Sequence, residues 1–191
     1  MIIAALGYAD KRPVLYALMK LLQSFGDVAV ITQNRQLQRL LGDRGISGYF
    51  NNVFVKITDL KPEEAFPGTE YSYKEFDHII FDSIDMLPES YDICIHSRSF
   101  GLTEREEEFI GRVNDIVRYN FMYGGKPETG CVNIPVTFEL IRSVEEFEAR
   151  GFLLPVQSEA LLRNLSKLSA AYLKIPEKNA LKILKRRWNE R

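Results

Sequence analysis

Hydrophobic residues in this chain fall into short unbroken runs separated by stretches of helical spacing, and the two alternate from the first residues onward. Ile2 to Leu6 is a run of the kind buried on both faces of a sheet, and it ends at Gly7, where a strand-to-helix loop belongs. A helix is expected next. Asp10 is placed to cap it, Pro13 suits its first turn, and Val14, Leu15, Leu18, Met19, Leu21 and Leu22 recur with helical spacing until Phe25-Gly26. A second run, Asp27 to Ile31, follows after almost no linker, which is the spacing of a right-handed crossover onto a parallel strand.

The alternation continues. Leu37, Leu40 and Leu41 predict a short helix closed by Gly42, and Tyr49 to Ile57 reads as one further strand. Lys61 to Tyr73 holds two prolines and shows no periodicity, so a surface excursion is expected. His78 to Phe81 and Asp92 to His96 are core strands by their pattern. From Thr103 to Arg118 the spacing predicts a helix, with Thr103 as cap and Phe109, Ile110, Val113, Ile116 and Val117 on one face. Strands at Tyr119 to Tyr123 and Cys131 to Ile134 flank the glycine-rich stretch from Gly124 to Gly130, and helices follow at Val136 to Arg150 and Ser158 to Leu173. The pattern predicts an α/β, three-layer αβα domain over residues 1–175, its doubly wound and mostly parallel sheet holding about six to seven strands. Residues 176–191 add a basic amphipathic helix, with Leu181, Leu184 and Trp188 on its apolar side and Lys182, Lys185 and Arg186 opposite.

Composition narrows the partners. The 191 residues are 46% hydrophobic, enough for a core without disulfide or metal staples, and Lys+Arg 25 against Asp+Glu 26 leaves a net charge of -1. No global field recruits nucleic acid, which is not expected as a partner. Cys94 and Cys131 sit in apolar stretches without metal-ligand spacing and read as buried, reduced thiols; His78 and His96 read as structural. The acidic string Glu104 to Glu108 reads as the wet face of its helix. The first residues have no basic stretch ahead of a long apolar run, so a cytoplasmic location is expected.

Ligands of doubly wound folds bind beyond the carboxyl ends of the strands, which directs attention to Gly7-Tyr8-Ala9-Asp10-Lys11-Arg12, Thr32-Gln33-Asn34, Asp82-Ser83 and Ser97-Arg98. In this layout the chain resembles the ParA/MinD group of deviant-Walker P-loop ATPases, including pilus-assembly relatives of the CpaE/TadZ type. Asp77 to Ser83 is similar to the group's Walker B strand, Asp92 to Ile95 to the strand that follows it, and Val132 to Glu139 with Gly151, Pro155 and Ser158 to its late strand, proline turn and closing helices. The resemblance covers residues 1–174 and implies a P-loop NTPase-like fold.

The departures bear on function. A working P-loop wraps backbone N–H groups around phosphate, adds a lysine and holds magnesium with a Ser/Thr hydroxyl. This chain offers Gly7 and Lys11, but Arg12 and Pro13 stand where the hydroxyl belongs, and Thr32 and Asn34 stand where the family places aspartates. Two readings of the loop stay open: Gly7, Asp10, Lys11, Arg12 and Asp82 as a degenerate nucleotide or phosphate site, or Lys11 and Arg12 as solvated first-turn cations and Asp82 as a turn cap. Accordingly no cofactor, no catalytic residue and no metal ligand is expected, with ATP and magnesium as the alternative. The resemblance implies a catalytically inactive or weakly active relative that works in assembly, positioning or as an adaptor through a protein partner, with a homodimer across the nucleotide face as in the family. The alternatives are an ATPase or ligase-like enzyme with an atypical phosphate loop, and a peripheral membrane scaffold. For the last, the tail resembles the membrane-lying helix of MinD relatives. Leu181, Leu184, Lys185, Arg186 and Trp188 would contact a partner or the anionic inner membrane face, or else dock on this domain.

Overall fold

The computed structural model describes residues 1–42, 45–66, 72–99, 104–113, 116–151, 156 and 158–188. Its frame is an eight-stranded sheet in the order β3-β4-β2-β5-β1-β6-β7-β8. The strands are β1 (Ile2–Leu6), β2 (Val28–Thr32), β3 (Ser47–Phe50), β4 (Val53–Ile57), β5 (His78–Asp82), β6 (Ile93–Arg98), β7 (Ile116–Met122) and β8 (Val132–Pro135). Every pairing is parallel except β3 with β4. The helices are α1 (Arg12–Leu22), α2 (Gln38–Leu41), α3 (Pro62–Ala65), α4 (Glu104–Ile110), α5 (Phe138–Arg150), α6 (Glu159–Tyr172) and α7 (Glu177–Leu184).

Strand alternation divides the core. Ile3, Ala5, Val28, Val30, Val53, Val55, Ile80, Ile93, Ile95, Tyr119 and Phe121 point to one face and pack with α1, α5, α6 and α7. Ala29, Ile31, Phe54, Ile79 and Phe81 on the opposite face meet Ala65 and Phe66 beside α3. On that same face Ala4, Leu6 and Cys94 meet Val113, which follows α4. The chain is thus the expected three-layer αβα arrangement.

Three local expectations are corrected. The segment from Tyr49 to Ile57 is a hairpin and not one strand, because Asn51 and Asn52 take φ of 50° and 63° and turn the chain between β3 and β4. Consecutive positive φ values make a tight hairpin turn, and Asn tolerates them; hence eight strands in place of six or seven. The helix expected to reach Arg118 stops at Ile110, and Ile116, Val117 and Arg118 lie in β7, pairing Cys94↔Ile116 and Ile95↔Val117. Two β-branched residues beside a buried parallel strand gain more from that pairing than from a further helical turn. Thr103, the expected cap, lies outside the described residues. The excursion after Lys61 includes the short helix α3, started by Pro62 in its first turn.

The segment set apart at 176–191 continues the main core. Ala180 and Leu184 are fully buried and Trp188 is 7% exposed. The Trp188 ring stacks on Phe147 with centroids 5.2 Å apart, and its indole N–H donates to Gln23 Oε1 at 2.6 Å. Lys20, buried on α1, donates to the Leu184 carbonyl at 3.2 Å and to that of Arg186. These cationic contacts fall on the carbonyl end of α7, where its dipole is negative. Among the described residues no helix is long and apolar enough to cross a membrane.

Candidate functional site

The carboxyl ends of β1, β2 and β5 open onto a cleft of about 440 Å³, lined among others by Tyr8, Lys11, Asn34, Arg35, Asp82 and Ile84. Sheet order explains the opening. The chain leaves β1 toward β2 on one side and leaves β5 toward β6 on the other, so connections diverge above these strands. Gly7 begins the loop with φ of 104°, and a Cβ there would lie 2.1 Å from the Ser97 carbonyl oxygen. Only glycine fits.

Lys11 is not solvated. It is 5% exposed, and its ammonium pairs with Asp82 Oδ1 at 2.8 Å while donating to the carbonyls of Gly7 at 2.9 Å and Ser83 at 2.5 Å. Two of its three donors are thus placed on carbonyls, and the contact with Asp82 Oδ1 is an ion pair in which that oxygen accepts no hydrogen bond of good angle. The other Asp82 oxygen accepts from the Thr32 hydroxyl at 2.6 Å, a neighbour fixed by the Thr32↔Asp82 register of β2 and β5. The Asn34 amide in turn donates to that hydroxyl at 2.9 Å. Ser83 and Gln33 close the ring through a 3.0 Å hydrogen bond, and the Ile84 amide donates to the same Gln33 oxygen.

Arg12 is likewise engaged. Asp10 takes two hydrogen bonds from its guanidinium, at 2.9 and 2.7 Å, and Glu148 of α5 takes a third at 2.9 Å. Glu148 has a side chain only 4% exposed and also accepts from Tyr16 at 2.7 Å and Arg39 at 3.3 Å. The Asp10 hydrogen bond leads the interactions that hold the Arg12 guanidinium charged, and burial followed by the Glu148 contact pushes the Tyr16 phenol upward. Asp10 does not cap α1 as expected. Lys11 is the N-cap residue without a side-chain bond, and Asp10 accepts the Arg12 amide at 3.1 Å.

Part of the backbone at the start of α1 is committed: from Gly7 to Leu15 the amides of Gly7, Ala9, Arg12, Val14 and Leu15 donate within the chain and Pro13 has none, which leaves those of Tyr8, Asp10 and Lys11. A phosphate cradle needs several such groups pointing outward. Magnesium fares no better, because Asp82 Oδ1 is ion-paired with the Lys11 ammonium, Oδ2 accepts from Thr32, and no hydroxyl follows Lys11. Triphosphate with magnesium would have to break the Lys11–Asp82 pair and the Thr32 hydrogen bond to use these residues.

The remaining sequence candidates divide. Gly7, Asp10, Lys11 and Asp82 do line one cleft, whereas Arg12 turns toward α5 and lines a smaller apolar pocket with Phe121, Tyr123 and Leu140. Of the tail residues, Leu184 and Trp188 are core, Leu181 is partly buried, and Lys185 and Arg186 are exposed. Glu106 leaves the wet face assigned to it: it is 6% exposed and lies 3.2 Å from His96, whose imidazole burial keeps neutral to lower pH than usual. Cys94 is buried, with its thiol pushed up to about 12 by desolvation, while Cys131 is only half-buried. Glu148 carried no signal in the sequence, since it meets Arg12 across 136 residues. Among the described residues no group of three His, Cys, Asp or Glu side chains could hold a metal ion.

No protein-family profile and no curated protein matches the chain. Among solved structures, the MinD cell division protein of Aquifex aeolicus superposes with a TM-score of 0.51 at 13% identity, over 96% of this chain and 94% of that one. The fold is ParA/MinD-like, and at this identity the likeness speaks for the fold alone.

Proposed function

We propose that this chain is a catalytically inactive or weakly active MinD-like protein that serves as an assembly, positioning or adaptor component through protein contacts. The observation that carries the reading is the engagement of Lys11, whose buried ammonium donates to the carbonyls of Gly7 and Ser83 and ion-pairs with Asp82. A nucleotide phosphate would have to displace a buried ion pair and regain its energy from a loop with few free amides. The carboxyl end of the sheet supports the contact role, with Tyr8 and Ile84 on the cleft and Tyr123 and Ile141 on the smaller pocket. Tyr8, Ile84, Tyr123, Phe138 and Ile141, all in loops or first turns after strands, are more than two-fifths exposed, and Phe138 reaches 73%. Large apolar side chains gathered at one end of a domain mark a protein-binding surface.

Titration calorimetry with ATP and magnesium tests it. The account expects no saturable heat at millimolar nucleotide and no phosphate release above background. Saturable heat that is lost in both Lys11→Ala and Asp82→Ala would establish the ATPase alternative instead.

A further inference from the structure

The near-zero net charge of this chain conceals a separation of charge between the two faces of its sheet. The segment 57–113, which supplies α3 and α4, carries 14 acidic and 5 basic residues in sequence, Asp82 and Glu106 being buried among them. Residues 161–187 carry 8 basic side chains and 1 acidic one, and they build the part of the other face formed by α6 and α7. On α7 the apolar side is buried against this domain, which leaves Lys178, Lys182 and Lys185 exposed with helical spacing. At 1.5 Å per residue they form a stripe roughly 10 Å long. Among the described residues none of the three has an ion-pair partner. On α4, Glu104, Glu107 and Glu108 are exposed, the last beside Arg112, and they are joined by the exposed Glu64 of α3 and by Glu89, whose amide donates to Glu63.

We infer that the basic α6–α7 face docks on the acidic α3–α4 face of a second copy, so that the chain self-associates head to tail. The two surfaces lie on opposite sides of one sheet, and one molecule cannot bring them together. A second copy is the occupant that uses both. An anionic bilayer or a nucleic acid would meet the lysines but leave the acidic face without a partner. A contact between different surfaces does not close on itself, so copies add in series unless the rotation forms a ring. Exposed pairs are screened over about 8 Å at physiological salt, so the association is weak there and grows as salt is lowered.

Sedimentation velocity across a concentration series, at about 20 mM and about 500 mM salt, tests the inference. The full chain is expected to sediment faster with concentration at low salt and as monomer at high salt. Lys178→Glu/Lys182→Glu/Lys185→Glu and Glu104→Lys/Glu107→Lys/Glu108→Lys should each stay monomeric at low salt, and mixing the two should restore association. Glutamine in place of each reversed charge keeps the test should a reversal unfold its helix. A monomeric parent chain at low salt overturns the inference, as do variants that associate like the parent. Association that persists at high salt reports the apolar side chains at the carboxyl end of the sheet instead and also overturns it, as does a parent that stays monomeric yet pellets with phosphatidylserine vesicles.

Discussion

Lys11 and Lys182 carry the same ammonium into opposite circumstances, one buried at the head of the sheet against Asp82, the other in water on the outer side of α7. Position in the chain suggested the reverse, since Lys11 stands where a phosphate-binding cation belongs and Lys182 lies on an ordinary amphipathic helix. What decides availability is the neighbouring acceptors. Lys11 meets a carboxylate and two carbonyls within reach, and Lys182 meets none. Lys20 falls between them. It is buried, but its partners are the neutral carbonyls that end α7, so desolvation lowers its ammonium to about 8.

Substitutions should spread these three lysines widely. Asp82→Ala has the largest expected effect, because it strands the buried Lys11 ammonium and takes the acceptor from Thr32; urea unfolding should show a loss of about 3–5 kcal/mol. An effect below about 1 kcal/mol would mean that Lys11 finds water or another acceptor and that the cleft is not self-neutralised.

Lys20 comes next, and its signature is a pH dependence. Its folded value of about 8 lies below the ordinary 10.5, so between those values the unfolded chain holds a proton that the folded chain has released. Stability therefore rises as pH climbs from about 8 to about 10, by about 3 kcal/mol at most, and the cost stands in full below pH 8. Lys20→Met, followed by urea midpoints across this range, should flatten the rise relative to the parent. A parallel slope in both proteins would remove Lys20 as its source. Smallest is Lys182→Ala, expected within about 0.5 kcal/mol of the parent in the same unfolding measurement, since only water is lost as a partner. A larger loss would place a partner for Lys182 inside the chain.

Much of this contrast could be read from residues, and the failures have physical causes. The run from Ile2 to Leu6, the loop at Gly7 and the helix of Val14 to Leu22 followed from periodicity because each spans enough residues to distinguish period 3.6 from a continuous run. Ile116 and Val117 misled because they continue the helical spacing of Phe109, Ile110 and Val113, and only the facing Cys94 and Ile95 pull them into the sheet. The cleft was legible as strand ends, Lys11 after β1 and Asp82 at the end of β5, but the ion pair between them was not, because the same residues would suit a phosphate. Glu148 was invisible for another reason: nothing in a thirteen-residue helix says which of its carboxylates will meet an arginine near the other end of the chain. The tail showed its apolar stripe plainly. What the stripe covers depends on Lys20, Gln23 and Phe147, and such a stripe fits a bilayer as well as a core.

Ammonium-selected nitrogen NMR of Lys11 tests the central claim most directly, because it observes the buried ammonium itself. The account predicts a slowly exchanging Lys11 signal, lost in Asp82→Asn and unmoved by millimolar ATP with magnesium. A rapidly exchanging signal, or one that shifts and saturates as nucleotide is added, would contradict it.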